Sequence, residues 1–225
     1  MRSFRLVRSV RPALAGFAVL IAALSLSLSL SAQDRPDLAQ FVRHPKLEVT
    51  VPDFPAEGLI LDVGGGGEGV IGQLKGRQVV AIDLIKRELE DAPGGPLLKI
   101  VMDARALGFL DGSFDTATVF FTFMYIMPPD HGQVFAELHR VLRPGGRLLV
   151  WDPVFPDKAA PDKPKIMYPL HVLLPGKDIN TGYGVGIREG QGADHFLALA
   201  EAAGFEAVSR KDENGWFFLE FRKPG

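Results

Sequence analysis

Five apolar runs recur between residues 59 and 152, and they constrain the fold more than any other feature of this 225-residue chain. Each run is rich in Val, Ile, Leu and Phe and shows little polar alternation, which is typical of strands buried on both faces. Helix-compatible stretches separate the runs, as expected for βαβ units with a parallel sheet. The runs are 59–63, 78–83, 97–103, 116–123 and 147–152.

Two helices and a closing hairpin are also predicted. Residues 130–142 place apolar side chains at helical spacing and end before 143–146 (RPGG), which predicts a stop and a turn. Residues 193–203 form a second amphipathic stretch that ends at Gly204. The residues that follow predict two strands around an Asn-Gly turn at 214–215, a strong hairpin signal.

The first apolar run leads into a glycine-rich turn, residues 64–69 (GGGGEG), and then into a helix-compatible stretch. Glycines let the backbone turn sharply and let a ligand approach the backbone amides closely. Asp83 ends the second run, where a carboxylate can accept hydrogen bonds from both hydroxyls of a ribose. The glycine spacing also fits the G-x-G-x-x-G fingerprint of dinucleotide sites, so the turn alone leaves two classes of ligand open.

Two further carboxylates favour a cationic nucleoside ligand over a dinucleotide. Asp62 lies directly ahead of the glycines, where it would attract an ammonium group such as that of methionine and repel a pyrophosphate. Asp103 ends the third run, where it can accept a hydrogen bond from an adenine amino group. An NAD(P)-dependent oxidoreductase with the same type of turn is the alternative interpretation.

Four segments resemble, in order and spacing, the successive motifs of class I, type-11-like S-adenosylmethionine-dependent methyltransferases: LDVGGGG, VVAIDL, MDARALGFLDGSFDTA and VLRPGGRLLV. The resemblance covers about residues 59–152. It implies a Rossmann-like, doubly wound α/β fold whose mainly parallel seven-stranded sheet has an antiparallel last strand, and it implies S-adenosyl-L-methionine as the cofactor. One position departs from the family pattern, because Glu68 occupies the place of the usual third glycine. The sequence assigns no role to this residue.

The resemblance also implies which residues bind the cofactor. They fall into groups at its methionine end, its ribose, its adenine and the mouth of methyl transfer. Asp62, Gly64 and Gly66 are implied at the methionine end, and Asp83 at the ribose. Leu84, Asp103 and Ala104 are implied at the adenine, and Phe123 and Met124 at the mouth of methyl transfer.

Residues 153–191 interrupt the regular pattern with several prolines and glycines around two strand-like pieces. A long irregular stretch that follows the fifth strand is expected at the ligand-binding edge of the sheet, and we predict a substrate lid there. A general base is needed only for a protonated, weakly nucleophilic acceptor. The candidates for a catalytic role are Tyr125, His171 and Tyr183.

The N-terminus predicts a targeting segment. Residues 1–11 carry four arginines and no acidic residue, and an apolar run follows at 13–24. Small residues then suit cleavage after Ser31, so residues 1–32 are expected to form a secretory signal peptide. An uncleaved membrane anchor over 12–32 is the alternative, and the protein is cytoplasmic if the start is misassigned. Residues 33–57 are then a lead-in segment, and 58–225 form the methyltransferase domain.

The composition of the chain limits the classes of partner and of chemistry that it can support. The chain has no cysteine, which excludes disulfides and thiolate chemistry, and no metal-binding motif is present. Outside the first 32 residues, 21 basic residues face 27 acidic ones, a poor match to nucleic acid. We therefore expect a small-molecule or lipid-like acceptor, with membrane association only through the N-terminal segment. A catalytically degenerate exported or anchored binding module is a further alternative, and the sequence contains no signal for oligomeric state.

Overall fold

The computed structural model describes residues 38–157 and 160–225. The predicted export segment, residues 1–32, lies outside this part of the chain. Among the described residues, no helix is both long and apolar enough to cross a membrane.

The described residues form eleven strands and four α-helices. In chain order they are β1 (Phe41–Arg43), β2 (Leu47–Thr50), β3 (Ile60–Val63), α1 (Val70–Lys75), β4 (Val79–Asp83), α2 (Lys86–Asp91), β5 (Leu98–Val101), β6 (Phe114–Phe120), α3 (His131–Val141), β7 (Leu142–Pro153), β8 (Lys165–Leu174), β9 (Lys177–Gly186), α4 (Ala193–Ala202), β10 (Glu206–Glu213) and β11 (Trp216–Arg222).

Seven strands form the main sheet in the order β10-β11-β7-β6-β3-β4-β5. The strands from β7 to β5 are parallel to one another, and β11 is antiparallel to both of its neighbours. This confirms the predicted α/β class, the mainly parallel sheet and the antiparallel last strand. The chain runs from β3 to β4 on one side and returns to β6 on the other. The carboxyl ends of β3 and β6 therefore form the switch point at which open α/β sheets bind ligands.

A second, smaller sheet occupies the region expected to be a lid. Strands β8 and β9 form a long antiparallel hairpin, and β1 and β2 pair in parallel with β8. Alternate residues of β8 are buried, beginning with Ile166 and Tyr168, so one face of this sheet packs against the protein interior. Residues 165–186 of the predicted lid are therefore largely regular, and residues of the lead-in complete their sheet.

Two apolar cores flank the main sheet. Adjacent residues of β3, Ile60 and Leu61, belong to different cores because successive side chains of a strand point to opposite faces. One core contains residues of the small sheet, such as Tyr168, and of α1. The other contains residues of α3 and α4, such as Phe135 and Phe196.

The predicted strands and helices are present, and several of their bounds differ by a few residues. The helix predicted at 130–142 is α3, which ends at Val141. The RPGG residues, predicted as a turn, instead belong to the start of β7. The pairing of β7 with β6 shifts there from Phe114↔Leu142 to Thr116↔Arg147, so residues 143–146 interrupt the regular pairing opposite the single residue Asp115.

Candidate functional site

The glycine turn, residues 64–69, lies at the switch point. The amides of Gly64 and Gly65 both donate to the Ile82 carbonyl, at 2.8 and 3.0 Å, which anchors the turn to the end of β4. Gly64 has φ 72°, and a Cβ atom there would lie 2.2 Å from Oγ1 of Thr122. The turn thus passes close to the residues that follow β6, in a conformation that favours glycine.

Asp62 lies behind the glycine turn and is 3% exposed. Its Oδ1 accepts a hydrogen bond of 2.8 Å from the hydroxyl of Thr118 on β6. Burial raises the pKa of the Asp62 carboxyl to about 7; the Thr118 hydrogen bond lowers this pKa and the charge of Asp83 raises it. The end of β3 therefore holds a carboxyl group that titrates near neutral pH and that a nearby cation would ionise.

Asp83 ends β4 and is half-buried. Its Oδ1 accepts the amide of Ile85 at 2.9 Å. Burial raises the pKa of Asp83, against the backbone amides of Ile85, Gly66 and Leu84, which lower it. Leu84, the next residue, is 64% exposed, although it is a large apolar side chain. A polar acceptor beside an exposed apolar surface is the combination that a ribose and its base require.

Two glutamates add negative charge to the same place. The Gly67 amide donates to the Glu88 carbonyl at 2.9 Å, so α2 lies against the turn. Burial raises the pKa of the Glu88 carboxyl to about 7, and the charges of Asp83, Asp91 and Glu68 raise it as well. The turn is thus surrounded by carboxylates whose mutual repulsion favours a cationic ligand.

Asp103 lies at the same edge of the sheet, and its carboxylate is engaged within the protein. The Met102 amide donates to the Asp83 carbonyl at 2.9 Å, which places the two strand ends side by side. Arg105 donates to Asp103 through its backbone amide at 2.9 Å and through its guanidinium at 2.7 Å. The Arg105 side chain lowers the pKa of Asp103 below its usual value. Ala104, between them, packs against the core of α3 and α4.

Two of the three candidate catalytic residues lie near the turn. The Tyr183 hydroxyl donates to Oε2 of Glu68 at 2.9 Å. Burial raises the pKa of Tyr183 well above its usual value, and the charge of Glu68 raises it further. The Tyr125 hydroxyl is buried and has no hydrogen-bond partner among the described residues. Burial raises the pKa of Tyr125 too, with smaller contributions from Glu68, Glu88 and Asp152.

Three predicted site residues are placed differently from expectation. His171 lies on β8 between the buried Leu170 and Val172, so its side chain faces the opposite side of the small sheet, where it bonds Asp178 at 3.0 Å. The side chains of Phe123 and Met124 are fully buried in the two cores and do not line an open mouth.

The structure also adds residues that the sequence analysis did not select. Asp152 ends β7 and is fully buried beneath the turn that follows β6. Burial raises the pKa of Asp152 well above its usual value, against the backbone amides of Phe123, Met124 and Thr122. The strand-end position that identified Asp83 and Asp103 also marks Asp152, so a signal for it existed. No comparable pattern marks Glu88, which lies on a helix.

No described group of three or more His, Asp or Glu side chains is arranged to hold a metal ion.

Comparisons with known proteins bear on this geometry. Residues 61–150 match a family model described as a methyltransferase domain. The demethylmenaquinone methyltransferase of Thermus thermophilus is 37% identical over 111 residues, which cover 45% of this chain and 50% of that protein. A ubiquinone/menaquinone biosynthesis C-methyltransferase of Dinoroseobacter shibae is 31% identical over 175 residues, which cover 68% of each chain. The chain therefore spans about half the length of the first relative and about two thirds of the second.

A solved structure shares the fold. The SAM-dependent methyltransferase from Methanosarcina mazei aligns with a TM-score of 0.55 and 18% identity, and the alignment covers 76% of this chain and 94% of that one.

Proposed function

Because this chain belongs to the class I S-adenosylmethionine-dependent methyltransferases, we propose that it transfers a methyl group from S-adenosylmethionine to a small, partly apolar acceptor of quinol or lipid-like character. Of the two relatives described above, one is named as a demethylmenaquinone methyltransferase and the other for ubiquinone and menaquinone biosynthesis, which motivates the quinol class.

The observation that carries the proposal is the set of three carboxylates around the glycine turn. They belong to the strands on either side of the turn and to α2, and they are Asp62, Asp83 and Glu88. A ligand with a sulfonium and an ammonium group gains Coulomb energy among them, whereas the pyrophosphate of NAD(P) would be repelled. This argues against the oxidoreductase interpretation.

The residues of the site fit the parts of S-adenosylmethionine in turn. Asp83 accepts ribose hydroxyls, the exposed Leu84 packs on the adenine, and the glycine turn lets the methionine end approach the backbone. Asp62 supplies negative charge from behind the turn. When bound, the sulfonium supplies an activated methyl group, so the protein contributes mainly binding, orientation and exclusion of water.

The acceptor side is aromatic and hydroxyl-bearing. The ring of Tyr183 lies 5.8 Å from that of Phe121, which directly follows β6. Tyr125 and Tyr183 both pack against the core that contains Phe121. A flat ring with hydroxyl groups, as in a quinol, would match these rings and hydroxyls through stacking and hydrogen bonds after a local rearrangement that exposes them.

The test uses binding first and turnover second. Calorimetric titration is expected to show binding of S-adenosylhomocysteine and none of NADH or NADPH. Radiolabelled S-adenosylmethionine is then expected to label naphthohydroquinone, a minimal quinol. Binding of NAD(P)H in place of S-adenosylhomocysteine would overturn the methyltransferase assignment. Binding of S-adenosylhomocysteine without methylation of any small quinol or lipid would instead identify a degenerate binding module.

A further inference from the structure

Glu68 has a defined place in the structure, although the family pattern has glycine at this position. Its side chain leaves the glycine turn and reaches strand β9. The Thr181 hydroxyl donates to Oε1 of Glu68, and the Tyr183 hydroxyl donates to Oε2 at 2.9 Å. Each carboxylate oxygen therefore accepts a hydrogen bond from the same strand.

The two partners lie on the inward face of the β8–β9 hairpin. Thr181 and Tyr183 are two residues apart, so their side chains project from one face of β9. They pair with Leu170 and Tyr168 on β8, both of which are buried. The contacts with Glu68 are thus part of the packing between the small sheet and the rest of the protein.

Two hydrogen bonds of Gln73 also join the glycine turn to the β8–β9 hairpin. Gln73 on α1 donates its side-chain amide to the Glu68 carbonyl, and its side-chain oxygen accepts a hydrogen bond from the ammonium of Lys177 at the tip of the hairpin. The glycine turn, α1 and the hairpin therefore form one hydrogen-bonded unit.

Tyr183 bridges the two strand ends at the switch point. Its hydroxyl contacts the turn after β3 through Glu68, and its ring contacts Phe121 after β6. Phe121 has φ 48°, an unusual conformation for a side chain of this size and one that is concentrated at functional sites. The hydroxyl also lies within electrostatic reach of Asp62 and Tyr125.

We propose that Glu68 is a positioning residue that holds the Tyr183 hydroxyl at the mouth of the cofactor site, so that the tyrosine oxygen binds a hydroxyl of the acceptor. This proposal rests on the proposed methyl transfer. Because the Tyr183 proton is donated to Glu68, the lone pairs of the tyrosine oxygen are free to accept a hydrogen bond. The acceptor class is therefore a phenol, quinol or enol. Glycine at position 68 would leave the tyrosine hydroxyl without this constraint.

The experiment separates acceptor binding from cofactor binding. Glu68→Ala, Glu68→Gln and Tyr183→Phe are assayed for KM and kcat with naphthohydroquinone, and for the Kd of S-adenosylhomocysteine by calorimetry. Glu68→Ala and Tyr183→Phe are each expected to lower kcat/KM for the acceptor by about tenfold or more, the size expected for a hydrogen bond to a charged group. The Kd of S-adenosylhomocysteine should change less than about threefold. Glu68→Gln keeps one accepting oxygen and should retain part of the activity.

The matched control is Asp178→Asn, which alters a carboxylate on the same hairpin that faces His171 rather than the turn. This variant should behave as the wild type does. The double variant Glu68→Ala/Tyr183→Phe should lose little more than either single variant, because the two residues act through one contact. Additive losses, or equal losses in acceptor kcat/KM and in cofactor Kd, would overturn the positioning role.

Failure of the proposed function gives a different result. Suppose that the wild type binds S-adenosylhomocysteine and does not methylate naphthohydroquinone. Hydrogen exchange of the β9 amides then tests whether Glu68 holds the hairpin in position. Glu68→Ala should then accelerate exchange over residues 177–186 and Asp178→Asn should not; unchanged exchange in both variants would overturn the role of Glu68. If Glu68→Ala does not fold, Thr181→Val and Tyr183→Phe remove the partner side of the same contacts.

Discussion

The carboxyl group of Asp83 has the most direct relation to the proposed ligand, because it ends β4 beside the exposed Leu84. We predict that Asp83→Ala weakens binding of S-adenosylhomocysteine by about 1.5–3 kcal/mol, the contribution of hydrogen bonds to a charged acceptor. Calorimetry measures the change in Kd. Asp111→Asn, which alters an exposed carboxylate before β6, is the control and should leave Kd unchanged. An unchanged Kd for Asp83→Ala would remove this residue from the site.

The buried Asp62 and its neighbour Glu88 predict a pH dependence of cofactor binding. Both carboxyls have pKa values raised to about 7, first by burial and then by neighbouring charges. Below this pH they are protonated and neutral; above it they are charged and attract the ammonium group of the ligand. The affinity for S-adenosylhomocysteine should therefore increase between pH 6 and 8, with release of protons on binding.

Calorimetry in two buffers of different ionisation enthalpy measures these protons. Asp62→Asn should reduce both the proton release and the slope of affinity against pH. Proton uptake on binding, or an affinity that falls as the pH rises, would contradict this assignment.

Strand ends mark the site residues that the sequence predicted. Asp83 and Asp103 end apolar runs and Asp62 lies near the end of another, and the structure places all three at one edge of the main sheet. It did not identify Glu88 or Thr181, because their positions depend on how a helix and a distant hairpin pack against the turn. It misplaced His171 because a sequence with no clear alternation does not show which face of a strand a residue occupies.

At the level of elements, the glycine turn depends on a backbone conformation that only glycine adopts readily. Gly64 has φ 72°, and a Cβ atom there would overlap the side chain of Thr122. Gly64→Ala is therefore expected to reduce the free energy of unfolding by at least about 1–2 kcal/mol, measured by urea denaturation. Gly94→Ala is the matched control, because Gly94 has open space around its Cα and no positive φ. Equal effects of the two substitutions would show that the turn is not constrained in this way.

A pair of histidines joins the N-terminal ends of α3 and α4. Burial favours the neutral form of His131, so with Nε2 donating to the Ile126 carbonyl at 3.1 Å its Nδ1 accepts a hydrogen bond from Nε2 of His195 at 2.9 Å. Both rings are neutral in this arrangement, and burial lowers the pKa of each. The stabilisation is therefore present above about pH 6.5 and is lost as the pH falls through the lowered pKa values.

His195→Ala should consequently destabilise the protein by about 0.5–1.5 kcal/mol at pH 8, the value of a neutral hydrogen bond. The difference between variant and wild type should shrink towards pH 5. Urea denaturation of both proteins across this range measures the difference directly. His44→Ala, which removes an imidazole between β1 and β2, is the control. A difference that does not vary with pH would contradict the histidine pairing.

Strands β3, β4 and β6 of the main sheet were predictable because they are buried on both faces and are therefore almost continuously apolar. Strands β3 and β4 lie within one residue of the predicted runs, and the bounds of β6 differ from its run by up to three residues. The small sheet was not predicted as a unit. Its parallel pairing of β1 and β2 with β8 joins segments more than a hundred residues apart, and no local pattern specifies such a pairing.

At the scale of the whole molecule, the small sheet changes what the predicted lid can do. Its inward residues, among them Tyr168 and Val172, belong to the same core as Ile60 of the main sheet and Ile71 of α1. Separation of the hairpin from the main sheet would therefore expose a large apolar surface. Entry of ligands is expected to involve local rearrangement near the Glu68 contacts rather than movement of a free loop.

We propose that a signal peptide within residues 1–32 exports this molecule and so sets the compartment in which it acts. Four arginines precede the apolar run 13–24, and small residues at 29 and 31 suit the peptidase. The mature chain is then expected to begin at Ala32 and to be recovered outside the cytoplasm. Cell fractionation and N-terminal sequencing test this directly.

The control for processing is Ser31→Phe, which places a bulky residue at the cleavage position and should leave the N-terminus at Met1. An intact wild-type chain in the membrane fraction would indicate the anchor instead, and an intact soluble chain would place the protein in the cytoplasm.

The result also constrains the chemistry, because S-adenosylmethionine is made in the cytoplasm. An exported chain that binds S-adenosylhomocysteine as tightly as predicted must either acquire its cofactor before export or meet a supply beyond the membrane. S-adenosylmethionine or its product carried through purification of the exported chain, detected by mass spectrometry, would identify acquisition before export.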